Sequence, residues 1–575
     1  MKMSRIFNLL LAAAFVTAGI SVAGAVVAQE AEDAPHALTI DGIMLNGQNY
    51  RSVTITSQTP LTITASEPVM TECARGLQNQ TSAHVGRNGK LTEREFAMAQ
   101  TAWSYFETFY QPDTGLVNAV GNFPSTTLWD TASYISALAA AYELCVIDKR
   151  EFDSRATQLL DTLRNLPLYR GEAPNKVYNA ATGAMVDYAN EPGEIGMSAN
   201  DIGRLLVWLQ ILKERHPHLA NSVDNVPMRW NFCNLINEDG RMFGSFTQGN
   251  GETRYVQEGR LGYEEYAAKG FALWGFDVER AMSPEPLAYT TIYDVRVPHD
   301  GRDPRVFKSQ NYVLTEGYIL DGLEMGWDLP TDNANDDMVA SNGWRAEFAN
   351  RIYLVQQRRF EQTGIITARS EHQVEGRPYF VYDSIFADGY PWNTLDPTGE
   401  YQPDRAAVSA KAAVGLWALW DTDYTDLLFE TVADLSQPDR GFYEGLYENG
   451  NGFIPLQTAN NNGVILAALL YKVQGPILQH VNQNTQVWDT AFMGTDIRDN
   501  KCHPNRLVEE IPCCACARAN TVAPVIPIEE FLYCRPVIGR EGVGATDCST
   551  IEHNLAPPQV RQILPSSCPI PRLNP

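Results

Sequence analysis

The chain has 575 residues, of which 44 % are apolar, with 25 tyrosines, 22 phenylalanines and 11 tryptophans. That composition excludes a disordered polymer and gives a large folded core. A formal charge of −25 excludes a nucleic-acid partner, whose phosphates are bound through Lys and Arg, but leaves a neutral ligand open.

Residues 1–28 read as an export signal: Lys2 and Arg5 precede an uncharged run from Ile6 to Val27, with small residues Ala25 and Ala28 at the cleavage positions. No later stretch is apolar for eighteen residues, so stable membrane insertion is expected only if this segment stays uncleaved. The expected compartment is periplasmic or extracellular. Residues 29–92 form a polar N-terminal arm with short alternation in Ser52-Val53-Thr54-Ile55-Thr56, which suggests a strand or two.

From Glu93 the period becomes helical. Ile202, Leu205, Leu206, Leu209 and Leu212 make one apolar stripe. Similar stripes lie near 95–110, 130–146, 151–166, 264–275, 312–327, 338–362, 405–421, 424–435 and 459–473. Long loops rich in Gly, Pro, Asn and Tyr join them, at 167–197, 239–263, 284–311 and 374–404. Long aromatic loops between helices are usually functional. The pattern predicts an all-α fold over 93–475: a double ring of about twelve helices, an (α/α)6 toroid, with its loops gathered over one end. Residues 476–575 form an irregular tail holding seven of the ten cysteines, Cys502, Cys513, Cys514, Cys516, Cys534, Cys548 and Cys568, and many prolines. In an exported chain that reads as a disulfide-stapled appendage, with Cys73 a candidate outside partner. Cys145 and Cys233 read as small apolar residues in helices.

Several loop and helix-end segments pair carboxylates with aromatic rings. They include Trp129-Asp130, Tyr263-Glu264-Glu265-Tyr266, Thr315-Glu316-Gly317-Tyr318, Ser370-Glu371-His372, Tyr382-Asp383, Trp392-Asn393 and Phe442-Tyr443-Glu444. A sugar offers apolar C–H faces ringed by hydroxyls, so flat rings beside fixed polar groups suit it. Glycosidic cleavage adds two carboxyl groups across the scissile bond. Each acid also has a structural reading, and Asp130 and Asp201 fit helix N-termini. Nucleophile-elbow, phosphate-loop, dinucleotide and zinc-protease motifs are absent from the sequence, and the rival reading of Cys513-Cys514-Ala515-Cys516 as a metal site lacks a second pair at zinc-ribbon spacing, so no metal is expected.

The segments Leu128-Trp129-Asp130-Thr131-Ala132-Ser133-Tyr134, Leu166-Pro167-Leu168-Tyr169-Arg170-Gly171, Ser198-Ala199-Asn200-Asp201, Tyr263-Glu264-Glu265-Tyr266, Pro391-Trp392-Asn393, Gly441-Phe442-Tyr443-Glu444-Gly445 and Thr458-Ala459-Asn460 follow one another in order across 93–475. Together they resemble an exported bacterial domain family of unknown function. More distantly, they resemble the glucoamylase-like (α/α)6 domains of β-1,2-glucanases and cyclic β-1,2-glucan synthases. That resemblance implies a glycoside-processing cleft to which Tyr169, Arg170, Gly171, Asn175, Asp201, Glu371 and Glu444 contribute. The catalytic acid and its partner are expected among Glu316, Glu371 and Glu444, then Glu265 and Asp383. Trp129, Tyr169, Tyr382, Trp392 and Tyr443 are expected as sugar platforms, and Asp130, Arg170, Asn175 and Asp201 as hydroxyl partners. The expected partner is a poly- or oligosaccharide, and no cofactor is implied, since carboxyl chemistry on acetals needs none. Two rival readings share these residues: a glycan-binding scaffold, and a polysaccharide lyase using His372 and Tyr382.

Overall fold

The computed structural model describes residues 84–478, apart from 259–260, 285, 304–310 and 328–343, and the backbone of a small sheet between 26 and 65. Two units are distinguished, 1–80 and 81–575. The first contains an antiparallel sheet of Val26–Val27, Ala37–Leu45, Gln48–Thr56 and Thr62–Ala65, so the alternating Ser52–Thr56 segment lies in a strand. The rest of the expected export segment and the cysteine tail lie outside the described residues.

The second unit is helical. Among the described residues its α-helices are α1 Glu93–Thr108, α2 Leu128–Glu143, α3 Lys149–Asn165, α4 Ala199–Arg215, α5 Ala220–Asp224, α6 Glu264–Leu273, α7 Glu279–Met282, α8 Glu316–Met325, α9 Trp344–Thr363, α10 Ala410–Leu419, α11 Asp423–Val432 and α12 Ala459–Gln474. The two kinds of helix differ in sequence for a physical reason. The odd-numbered α3 buries one stripe, Phe152, Ala156, Leu159, Leu160 and Leu163, and leaves charges on its other face. The even-numbered α8 and α10 are buried along their whole length, and α2 and α12 nearly so; their interiors are Ala-, Leu- and Gly-rich. Helices buried all round must pack on both sides.

They do. α2 packs on α4, α4 on α6, α6 on α8, α8 on α10, α10 on α12, and α12 returns to α2, so the six even-numbered helices contact one another in a closed cycle. Of the odd-numbered helices, α1 packs on α12 and α2, α3 on α2, α5 on α4, α7 on α6, α9 on α8 and α11 on α10. Glycine permits the closest of these contacts: a Cβ at Gly270 on α6 would overlap the carbonyl of Gly203 on α4. Side chains of Thr92, Thr127, Asp148, Ser198, Thr422 and Thr458 cap the starts of α1, α2, α3, α4, α11 and α12.

The connections are less loop-like than the sequence suggested. Hairpins Phe243–Thr247/Thr253–Gln257 and Leu287–Ile292/Val295–Asp300 occupy two of the long loops. The second turns through Tyr293 and Asp294, both at positive φ (48° and 62°), as a two-residue hairpin turn with this strand twist requires. Cys145 and Cys233 are half-buried and disulfide-bonded, which corrects their reading as small apolar core residues.

Candidate functional site

The N-terminal turns of the even-numbered helices converge, and side chains from them build one polar floor. Glu316, the first residue of α8, is fully buried. Its Oε1 accepts from Trp129 Nε1 on α2 (2.9 Å) and Asn460 Nδ2 on α12 (2.7 Å). Its Oε2 forms an ion pair with Lys411 on α10 and faces Ser370 Oγ at 3.5 Å. Burial alone would raise this carboxyl's pKa, but Lys411 and Arg204 outweigh it and hold the group below its ordinary range. From α4, Arg204 donates to Trp129 O and Asn460 Oδ1, and its guanidinium lies 4.5 Å from the Trp129 ring. Trp129 also meets Tyr263, just before α6, and Tyr266 on it. Every polar group of Glu316 is therefore engaged, and it has no free face toward solvent.

Glu444 lies beside this cluster. Its Oε1 accepts from the Thr458 hydroxyl and its Oε2 from the Gln373 backbone N–H (3.2 Å). Burial raises its pKa, against the pull of Lys411 and Thr458. The ammonium of Lys411 acts on Glu316, Glu444 and Glu371 together. Glu371 is half-buried at the start of strand Glu371–Gln373, which pairs with Phe380–Asp383.

On the α2–α4 side the floor is more open. Asp130 is half-buried, takes the Thr127 hydroxyl at 2.7 Å, and has its pKa raised by burial against Thr127, Arg204 and Lys411. Asp201 is also half-buried. Burial, then the charge of Glu258, push its pKa up to about 7, although Lys176 and Ser198 oppose them. Tyr188, 69 % exposed, has its phenol within electrostatic reach of Asp201, Tyr382 and Glu258. Tyr382 stacks at a tilt on Tyr312, and Tyr443 on Phe453. Tyr379, Tyr390 and Tyr401 are exposed on the same loop region as Tyr382.

Other expected residues serve the frame. Tyr169 is buried, its hydroxyl held by Thr253 (2.7 Å) and Thr247 (3.1 Å) of the 243–257 hairpin. Arg170 is exposed and donates to Gly251 O at the tip of that hairpin. Asn175 is fully buried, donating to Val177 O and Val186 O and accepting from Ile195 N. These three tie loops together: Tyr169 and Asn175 spend their polar groups on neighbouring loops, and Arg170 spans from its own turn to the hairpin tip. Asp383 is fully buried between Arg369, Thr394 and the Ala407 N–H. Glu265 accepts from Gly262 N (2.6 Å) and faces Arg345, itself paired with Asp321 and far more enclosed than a cleft acid; burial raises Glu265 to about 7 against Arg345. Trp392 lies against the guanidinium groups of Arg359 and Arg369. His372 is buried with both ring nitrogens beside carbonyl oxygens, Ser370 O and Arg405 O, and burial lowers its pKa to about 4. That placement gives a lyase base no access to substrate.

The sequence reading missed Lys411, Arg204, Glu258 and Tyr188. Lys411 had a signal, a single charge inside the apolar run Ala410-Lys411-Ala412-Ala413-Val414. Glu258 and Tyr188 sit in loops and had none. Among the described residues no group of His, Cys, Asp and Glu is arranged to hold a metal ion.

The chain belongs to the DUF3131 family, a family of proteins of unknown function, which matches residues 97–475. No curated protein matches it. Among solved structures, it is similar to an endo-β-1,2-glucanase from Chitinophaga pinensis, with 12 % identity, 71 % of this chain and 96 % of that one covered, and a TM-score of 0.47. A β-1,2-glucanase from Parabacteroides distasonis matches with 12 % identity, coverage of 82 % and 73 %, and a TM-score of 0.44. A cellobiose 2-epimerase from Bacillus thermoamylovorans matches with 9 % identity, coverage of 66 % and 98 %, and a TM-score of 0.43.

Proposed function

We propose that residues 93–475 form an (α/α)6 toroid acting as a glycoside hydrolase on a neutral glucan outside the cytoplasm, with Asp201 as proton donor. The observation that carries this reading is the half-buried Asp201 carboxyl at the start of α4, linked through Ser198 Oγ to Glu258, raised to about 7, and within electrostatic reach of the exposed Tyr188 phenol. A general acid is most effective when its pKa lies near the working pH. Protonation of the glycosidic oxygen by Asp201 needs an ionised carboxylate on the opposite face, either to attack the anomeric carbon or to activate water. Glu371 and Glu444, within reach of the Lys411 charge, are the groups for that role. Glu316, Lys411, Trp129 and Asn460 would hold the floor in place rather than react. Disulfide bonding of Cys145 and Cys233 supports an exported, oxidising setting.

Reducing-sugar release over a panel of linear and cyclic β-glucans tests this reading, with Asp201→Asn as the control. We expect cleavage of at least one glucan by the native protein and its loss in the variant. Calorimetric binding of a glucan by a folded protein that releases no reducing ends would make the protein a binder instead.

A further inference from the structure

The environment of Asp201 contains more than burial. The hairpin that ends at Gln257 delivers Glu258 to the start of α4, and Ser198 stands between the two acids. Ser198 Oγ lies 3.2 Å from Asp201 Oδ1 and 3.0 Å from Glu258 Oε2, and it also accepts the Asp201 backbone N–H at 3.2 Å. Glu258 Oε2 accepts the Asn200 backbone N–H at 3.0 Å as well, and the Asn200 side chain donates to Glu258 O at 3.2 Å.

Counting protons decides what this chain means. A serine hydroxyl has one hydrogen and two lone pairs. One lone pair takes the Asp201 N–H. The single hydrogen can point to Asp201 or to Glu258, not both. If both acids were ionised, one carboxylate oxygen would face a hydroxyl oxygen with no proton between them, in a half-buried site. One added proton completes the chain: Asp201 Oδ1–H donates to Ser198 Oγ, and Ser198 donates to Glu258 Oε2. The proton belongs on Asp201, because Glu258 Oε2 already receives a backbone N–H as an ionised acceptor should. The other groups acting on Asp201 are Asp130, which reinforces the effect, and Lys176, which opposes it; the Tyr188 phenol lies within electrostatic reach of both acids.

We propose that Glu258 is a positioning residue which, through the Ser198 hydroxyl, holds Asp201 in its protonated, donor-ready state. The buttressing of the same hairpin by Tyr169 and Arg170 gives that stretch of the resemblance motif its purpose: it sets the position of Glu258. The inference takes its catalytic meaning from the proposed hydrolase, but its physical content stands apart from substrate.

The test is a titration of Asp201 followed by carbon-13 NMR in intact protein labelled at the aspartate carboxyls, with the signal assigned by its loss in Asp201→Asn. In native protein the midpoint should lie near 7. Glu258→Gln removes the charge while keeping size, so the midpoint should fall by more than ~1 unit. Glu258→Asp keeps the charge and should retain most of the elevation; if the Gln variant fails to fold, Glu258→Ala is titrated in its place and the same fall is expected. In any glucan assay that succeeds, the alkaline limb of kcat/KM should move to lower pH in Glu258→Gln by the same interval. An Asp201 midpoint unchanged in the variant that lacks the Glu258 charge overturns this inference, whether or not a glucan is cleaved. A shifted midpoint without cleavage of any glucan leaves it standing and removes the hydrolase instead.

Discussion

The two halves of the floor solve the same problem in opposite ways. On the α8–α10–α12 side, Glu316 is fully buried and every oxygen is matched, by Trp129, Asn460, Lys411 and Ser370. On the α4 side, Asp201 is half-buried beside a second carboxylate, and the charge of Lys176 does not prevent its pKa from rising to about 7. A buried charge that is fully compensated is held in one protonation state and contributes to structure. A carboxyl that is desolvated but undercompensated is left able to exchange a proton, which is what acid catalysis requires. The acid with the deepest burial is thus not the best candidate for the chemistry; the one with the incomplete environment is.

The largest effect expected from this contrast is in turnover. Asp201→Asn should fold normally and lose ~10²–10⁴-fold in kcat/KM on any glucan the native protein cleaves, as expected for loss of a general acid. Glu316→Gln, by contrast, removes charge from a group with no solvent-facing side, so turnover lost in proportion to stability, rather than independently of it, is the expected result. Near-native turnover in Asp201→Asn would reverse the assignment of the two halves.

The next effect is on stability. Lys411→Met leaves Glu316 buried without its cation. Removing one member of a buried ion pair typically costs about 3–5 kcal/mol, and urea denaturation should show a loss of that order. A loss below ~1 kcal/mol would mean that water reaches Glu316 and that this half is not closed.

What could be read in the sequence follows the range of the interactions involved. The helix positions were legible because apolar stripes and caps are local: the expected stripes near 130–146, 151–166 and 459–473 became α2, α3 and α12. The short α5 and α7 carry too few residues to show a period. The 287–300 hairpin was hidden because its turn is Tyr-Asp rather than a glycine-containing pair. At the site, pairing acids with aromatics picked out Trp129, Glu316, Glu371 and Glu444, which do gather around Lys411 or Glu316. The same rule also picked out Asp383, whose Arg369 and Ala407 partners are remote in sequence and use up its oxygens. Glu258 could not be found, since its meaning depends on a hairpin bringing it to Ser198.

A third expectation concerns pH. Folding raises Asp201 to about 7, Glu264 to about 8, Glu265 to about 7 and Glu324 to about 7, in each case first through burial. The folded state therefore binds these protons more tightly than the unfolded chain. The stability they contribute is fully present below the unfolded carboxylate range and is lost as pH rises through 7 to 8. Glu143 works the other way: despite its burial, Arg215 and His216 lower it to about 2, so its contribution is lost only toward that pH. The urea midpoint should accordingly be higher at pH 5 than at pH 8, and Asp201→Asn should narrow the gap. A midpoint that rises from pH 5 to pH 8 would show that these carboxyls are wetter than their burial implies.

The smallest effect is the one that best separates the halves at their surface. Tyr188 is 69 % exposed on a turn fixed from below, where Asp187 Oδ1 accepts the N–H groups of Ala189 and Glu191. The ring is presented by that turn and contributes little to the core, so Tyr188→Ala should change stability by less than ~0.5 kcal/mol. As a sugar platform beside Asp201 it should matter to binding: an aromatic contact of about 0.5–1.5 kcal/mol corresponds to a KM raised roughly two- to tenfold. Because the ring touches ground state and transition state alike, kcat should stay near native. Tyr188→Phe should keep KM close to native if the face of the ring is what binds, and should raise it if the hydroxyl takes part. An unchanged KM in Tyr188→Ala, for a glucan that Asp201→Asn no longer cleaves, would place the sugar on the other side of Asp201, toward Asp130 and Glu444.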